Sequence, residues 1–169
     1  MVKNSNNFTK QFSKNKSCKY CNKTKTEDEI REVLKELSNE LKKDNINLML
    51  NSNNTKNKLF LTLHEVTGKS KKKFITNLFN NLTYKNFCHT ETDRQFPDET
   101  LYCFKLNFPL SNDRKNKYLD WINEHQLENT EEVLLKFKFK YINGKIVFFM
   151  SYHYPTIGYE PWTYLFDNN

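Results

Sequence analysis

Between Glu132 and Pro155 the chain alternates apolar and polar side chains twice, EVLLKFKFKYI and KIVFFMSYHYP, with Asn143-Gly144 in between. Asn-Gly supplies the two positive-φ positions of a tight type I′ turn, so the pattern predicts a β-hairpin. A two-residue turn pairs Ile142 with Lys145, and outward from it Tyr141 with Ile146, Phe139 with Phe148, Phe137 with Met150 and Leu135 with Tyr152. These pairs make an apolar face. Because side chains alternate with a period of two, the other face sets Lys140 against Val147, Lys138 against Phe149, Lys136 against Ser151 and Leu134 against His153.

Upstream, Thr26-Glu27-Asp28-Glu29 has the form of a capping box, and Ile30, Val33, Leu34, Leu37 and Leu41 follow at helical spacing. Ile46, Leu48 and Leu50 alternate as a short strand. After the polar loop 51–57, Leu59, Leu61 and Leu63 alternate again and predict its hairpin partner, with Phe60, Thr62 and His64 on the reverse face. Ser70 opens a helix carrying Phe74, Ile75, Leu78, Phe79 and Leu82. Residues 84–99, which contain Cys88-His89, read as a loop, and Tyr102 to Phe108 as a strand with Cys103 and Lys105 facing away from the core. Asp113 to His125 reads as a helix. The tail after Pro155 holds Tyr159, Trp162, Tyr164 and Phe166, an aromatic content that predicts packing back on the body or use as a docking segment. This order implies an α+β fold, an antiparallel sheet of about five strands packed on helices.

Charge divides the chain. Residues 1–25 hold seven lysines and no acid, while the whole chain has a net charge of +7, so the remainder is balanced. The domain reading is therefore a basic N-terminal arm, 1–25, followed by a single domain, 26–169. The arm lacks hydrophobic periodicity and reads as disordered unless a metal or partner orders it. No apolar signal segment opens the sequence, and no run reaches the ~18 apolar residues of a membrane span. Those features predict a soluble, intracellular protein with reduced cysteines and no membrane partner. The Lys and Asn richness, with Ala absent, reflects an AT-rich coding bias as much as a partner.

Three constellations bear on function. Lys105, Lys136, Lys138 and Lys140, with Phe149 among them, would form a cationic sheet face with an aromatic platform, the physical design of sheet-based RNA readers although without their signature motifs. Lys14, Lys16 and Lys19 in the arm, and Lys71, Lys72 and Lys73 at a helix start where backbone amides favour anions, add phosphate-binding candidates. Next, Thr62-x-His64 and Ser151-x-His153 each place a hydroxyl and an imidazole on one strand face, and two histidines can share general acid and base roles. This resembles the two-histidine phosphoesterases, whose motif is His-x-Thr/Ser repeated twice, except that here the hydroxyl precedes the histidine. The resemblance implies a phosphodiesterase with His64, His153, Thr62 and Ser151 as catalytic residues. Finally, Cys18-Lys-Tyr-Cys21 has the spacing of half a zinc site, which Cys88 and Cys103, or the neighbouring His89, would complete as a structural zinc pinning the arm to the body.

With three glycines and no P-loop, dinucleotide fingerprint or H-E-x-x-H, the familiar nucleotide and metalloprotease classes have no support. The function the sequence favours is a small binding protein contacting nucleic acid or a nucleoprotein assembly through the arm and the lysine face. The alternatives are a protein-targeting inhibitor or accessory factor docking through the C-terminal aromatics, and the two-histidine enzyme.

Overall fold

The computed structural model describes residues 21–50, 54–158 and 162–166. In chain order the elements are β1 (Cys21–Asn22), α1 (Glu27–Lys42), β2 (Ile46–Leu48), α2 (Thr55–Leu63), α3 (Ser70–Asn80), a 3-10 turn (Tyr84–Asn86), β3 (Phe87–Thr92), β4 (Thr100–Asn107), α4 (Asn112–Lys117), α5 (Leu119–Glu124), β5 (Glu132–Tyr141) and β6 (Lys145–His153). The strands form one six-stranded sheet in the order β1-β3-β4-β5-β6-β2. The fold is α+β. The sheet is mixed, since β2 runs parallel to β6 while the other pairs are antiparallel.

Helix α1 begins where the sequence says it should. The Thr26 hydroxyl accepts from the Glu29 amide at 3.3 Å, and the Glu29 carboxylate accepts from the Thr26 amide at 2.8 Å. Its Ile30, Leu37 and Leu41, with Leu59 and Phe60 of α2 and Ile75, Leu78 and Phe79 of α3, cover one face of the sheet. They meet Phe104, Leu135, Phe137, Val147 and Phe149 from the central strands. Phe79 stacks on Phe149 with ring centroids 4.2 Å apart.

Three segments depart from the sequence pattern. Leu59, Leu61 and Leu63 belong to a helix, α2, and Leu59, Phe60, Leu61 and Leu63 are all buried. A short, nearly continuous apolar run has no period that separates strand from helix, and leucine is a strong helix former. Residues 87–92, expected within a loop, form β3, whose first four residues are buried. The single helix expected over Asp113–His125 is divided in two at Tyr118.

The hairpin forms with a change of register. Asn143 and Gly144 both adopt positive φ, 50° and 123°, as the turn requires. The loop takes three residues, however, so Tyr141 pairs with Lys145 and Phe137 with Phe149. A β-bulge then inserts Met150 as an extra residue, after which Lys136 pairs with Ser151, Leu135 with Tyr152 and Leu134 with His153. A one-residue slip moves a strand's side chains to the opposite face. Val147 and Phe149 consequently point into the core, and Phe148 lies on the lysine side.

Candidate functional site

The face of the sheet away from α1–α3 is where the sequence placed its chemistry. Each of its four lysines meets a carboxylate. Lys105 lies 3.3 Å from Glu132, Lys136 2.5 Å from Glu91, Lys138 2.5 Å from both Asp93 and Glu99, and Lys140 3.5 Å from Glu99. Aromatic rings lie over the same ammonium groups. Tyr164 is 4.4 Å from Lys105, Trp162 is 5.6 Å from Lys136, and Phe96 is 4.8 Å from Lys138 and 3.9 Å from Lys140. The loop between β3 and β4 and the segment after residue 161 therefore cover this face. Lys138 is buried. Desolvation works against its charge, but the bonds to Asp93 and Glu99 outweigh that and raise its pKa.

The proposed docking row is thus an internal ion-pair array and presents no open ammonium surface. Phe149, the proposed stacking platform, is fully buried against Phe79 and offers no ring to a base. Of the α3 lysines, Lys72 pairs with Asp44 at 2.7 Å, Lys71 is partly buried on a groove beside Glu65 and Tyr118, and Lys73 is exposed. Lys14, Lys16, Lys19 and Cys18 lie outside the described residues.

The two histidines stand on different kinds of element. His64 follows α2 at its C-cap, and its Nδ1 lies 3.3 Å from Arg114 Nη1 while its Nε2 lies 3.0 Å from the Tyr154 hydroxyl. A guanidinium only donates, so Nδ1 accepts, Nε2–H donates to Tyr154, and Tyr154 in turn donates to the Phe108 carbonyl at 2.9 Å. Burial, and then the Arg114 charge, lower the His64 pKa to about 4. His153 is on β6, where burial likewise lowers its pKa to about 4, and it lines a pocket of about 140 Å³ with Lys56, His125 and Tyr154. His64 is not among the residues lining that pocket, and Thr62 spends its hydroxyl on the Lys58 carbonyl within α2. The paired-strand arrangement required for a two-histidine phosphodiesterase is absent, because one of the two expected strands is a helix.

Three of the four cysteines lie among the described residues. Cys88 and Cys103 are buried with Leu134 and Trp162. Burial pushes the Cys88 thiol up to about 12 and the Cys103 thiol well above its ordinary value. Cys21, on β1, lies opposite Glu91 on β3, and the donor atoms of Cys21, His89 and Glu91 all lie within 4.8 Å of one another. His89 Nε2 is 3.1 Å from Glu91 Oε1, and Glu91 Oε2 accepts from Lys136 at 2.5 Å. Burial pushes the Glu91 carboxyl up, but the His89 bond and the Lys136 charge outweigh it and hold the pKa at about 2. Trp162 packs edge-on to the His89 ring at 5.0 Å.

No protein family matches the chain. Neither a curated protein nor a solved structure is significantly similar to it.

Glu91 is the residue that sequence reasoning missed. His-Thr-Glu alternation over residues 89–91 puts His89 and Glu91 on one side of a strand, and the signal was there once 87–92 is taken as a strand. The described part of the C-terminal tail packs back on the sheet, with Trp162 buried and the Leu165 amide donating to the Phe87 carbonyl at 2.9 Å; Tyr159 is outside the described residues. Among the described residues no helix is long and apolar enough to cross a membrane.

Proposed function

We propose that the protein is a nucleic-acid-binding protein whose contact with phosphates is made by the basic segment 1–25. The observation that carries this reading is where the net charge falls along the sequence. All seven positive charges of the net balance fall in a stretch without a single acid, whereas the lysines of the covered sheet face each reach a carboxylate of the body. Phe8 and Phe12 among those lysines supply rings for stacking on unpaired bases. Lys73, exposed on α3, adds a cation on the body, while the sheet face is left out of the binding surface. This reading places the protein inside the cell, among nucleic acids and with reduced thiols.

The test is binding to a single-stranded RNA and to a DNA duplex across a salt series. Each lysine that neutralises a phosphate of a single strand contributes about 0.7 to the slope of log affinity against log salt. Replacing Lys10, Lys14, Lys16 and Lys19 by Gln should lower that slope by about 2–3 on RNA. Equal slopes for the two proteins, or affinity indifferent to salt, would overturn the reading.

A further inference from the structure

We infer that Cys21, His89 and Glu91 form a zinc site that ties β1 to β3. This assignment stands independently of the nucleic-acid reading. The three side chains supply a thiol, an imidazole and a carboxylate from two adjacent strands, brought together by the Cys21–Glu91 register pair and by the alternation of β3. Their donor atoms lie within 4.8 Å of one another. Ligands bound at ~2.0–2.3 Å in a tetrahedron stand about 3.3–3.7 Å apart, so closing on an ion needs only small side-chain movement. The 3.1 Å between His89 Nε2 and Glu91 Oε1 is already close to such an edge.

The surroundings suit a ligand set. The second oxygen of Glu91 is held by Lys136, the kind of outer contact that fixes a ligating carboxylate and leaves its first oxygen facing the imidazole. His89 is buried beneath Trp162, which limits water on that side. Sulfur with nitrogen selects zinc over magnesium or calcium, which take oxygen ligands. A Cys21 thiolate and the Glu91 carboxylate together balance the charge of Zn²⁺. The sequence also carries Cys18 at the Cys-x-x-Cys spacing from Cys21, the pattern of a zinc half-site. Cys88 and Cys103 are replaced in the assignment by His89 and Glu91.

The gain is mechanical. Among the described residues β1 contributes two residues and two register pairs, a short backbone hold on this edge of the sheet. An ion shared between Cys21 and β3 fixes the point at which the basic segment enters the fold.

The experiment uses the reduced, full-length chain stripped with chelator and titrated with Co²⁺, then with Zn²⁺. One equivalent of Co²⁺ should give a thiolate-to-cobalt charge-transfer band and the intense visible bands of tetrahedral cobalt, and Zn²⁺ should abolish both. Cys21→Ser and Glu91→Gln should each weaken Zn²⁺ binding at least tenfold, whereas Cys103→Ser should leave it unchanged. Circular dichroism confirms folding, and Cys21→Ser, at a half-exposed edge position, is the variant on which the result turns should Glu91→Gln unfold. Absence of the charge-transfer band in the wild type, or equal Zn²⁺ affinity in folded Cys21→Ser, would overturn the assignment.

Discussion

The side-chain amide of Asn57 completes the β-ladder of Tyr152 where no strand is available. Its Oδ1 accepts from the Tyr152 amide at 3.1 Å, and its Nδ2 donates to the Met150 and Met49 carbonyls, both at 3.1 Å. Parallel pairing of β2 with β6 stops at the Leu48–Phe149 register pair, and the bulge at Met150 begins immediately afterwards. Buried backbone groups left by such a break need partners. Asn57, itself buried on α2, supplies them. Asn57→Leu should destabilise the fold by about 2–4 kcal/mol, since it strands at least two buried polar groups at ~1–3 kcal/mol each. Urea denaturation measures it. A loss below about 0.5 kcal/mol would mean that water or a local shift replaces the amide.

The changed hairpin register makes neighbouring phenylalanines unequal. Phe149 is fully buried and Phe148 only partly. Phe149→Ala should cost about 3–5 kcal/mol, the range for a large aromatic in a core. Phe148→Ala should cost about 1 kcal/mol or less, as expected away from the core. The reverse order of the two losses would indicate the straight two-residue turn.

Lys138 is the fulcrum of the ion-pair array, 3 % exposed and held by two carboxylates. Lys138→Met leaves Asp93 and Glu99 without their shared cation and should cost about 3–5 kcal/mol, the loss on removing one side of a buried pair. Lys140→Met, at the more open end of the row, should cost about 1 kcal/mol or less. Comparing the two chemical-denaturation midpoints separates a structural row from an exposed binding face.

Acid should weaken the fold in a window set by two histidines. His64 and His153 are held near a pKa of about 4, against an unfolded value of ~6.5. Between those values the unfolded chain binds more protons, so stability is fully present above pH ~6.5 and is lost as pH falls toward 4. Each residue contributes a slope of up to ~1.4 kcal/mol per pH unit. Protonating His64 also sets an N–H against the Arg114 donor. His64→Gln should roughly halve the slope in this window; an unchanged profile would mean His64 is already protonated in the fold. Glu91, held at about 2, acts only at lower pH.

What the sequence makes legible is local. The capping box places α1 because both halves of its hydrogen-bond exchange lie within four residues, and Asn143-Gly144 places the hairpin because only a few residue types tolerate positive φ. Leu59 to Leu63 fails for a tertiary reason. Apolar at four of its five positions, the segment carries no period of its own, and in the fold its helix sets Asn57 against the broken edge of β6. The lysine row is legible in the alternation, and its pairing is not, because Glu91, Asp93 and Glu99 sit some 40 residues away in the chain and reach it only through strand pairing. The third loop residue, Ile142, and the compensating bulge at Met150 change the middle of the hairpin while leaving its far end in place, a pair of irregularities that alternation alone does not reveal.

Among the described residues both rims of the sheet are short, two residues in β1 and three in β2, while the long aromatic strands β4, β5 and β6 lie inside. Strands of this composition are natural templates for self-association when a long backbone edge is bare. Among the described residues the short rims and the Asn57 patch give an incoming chain no long continuous row to zip onto, so self-association there would begin with loss of β1 or β2.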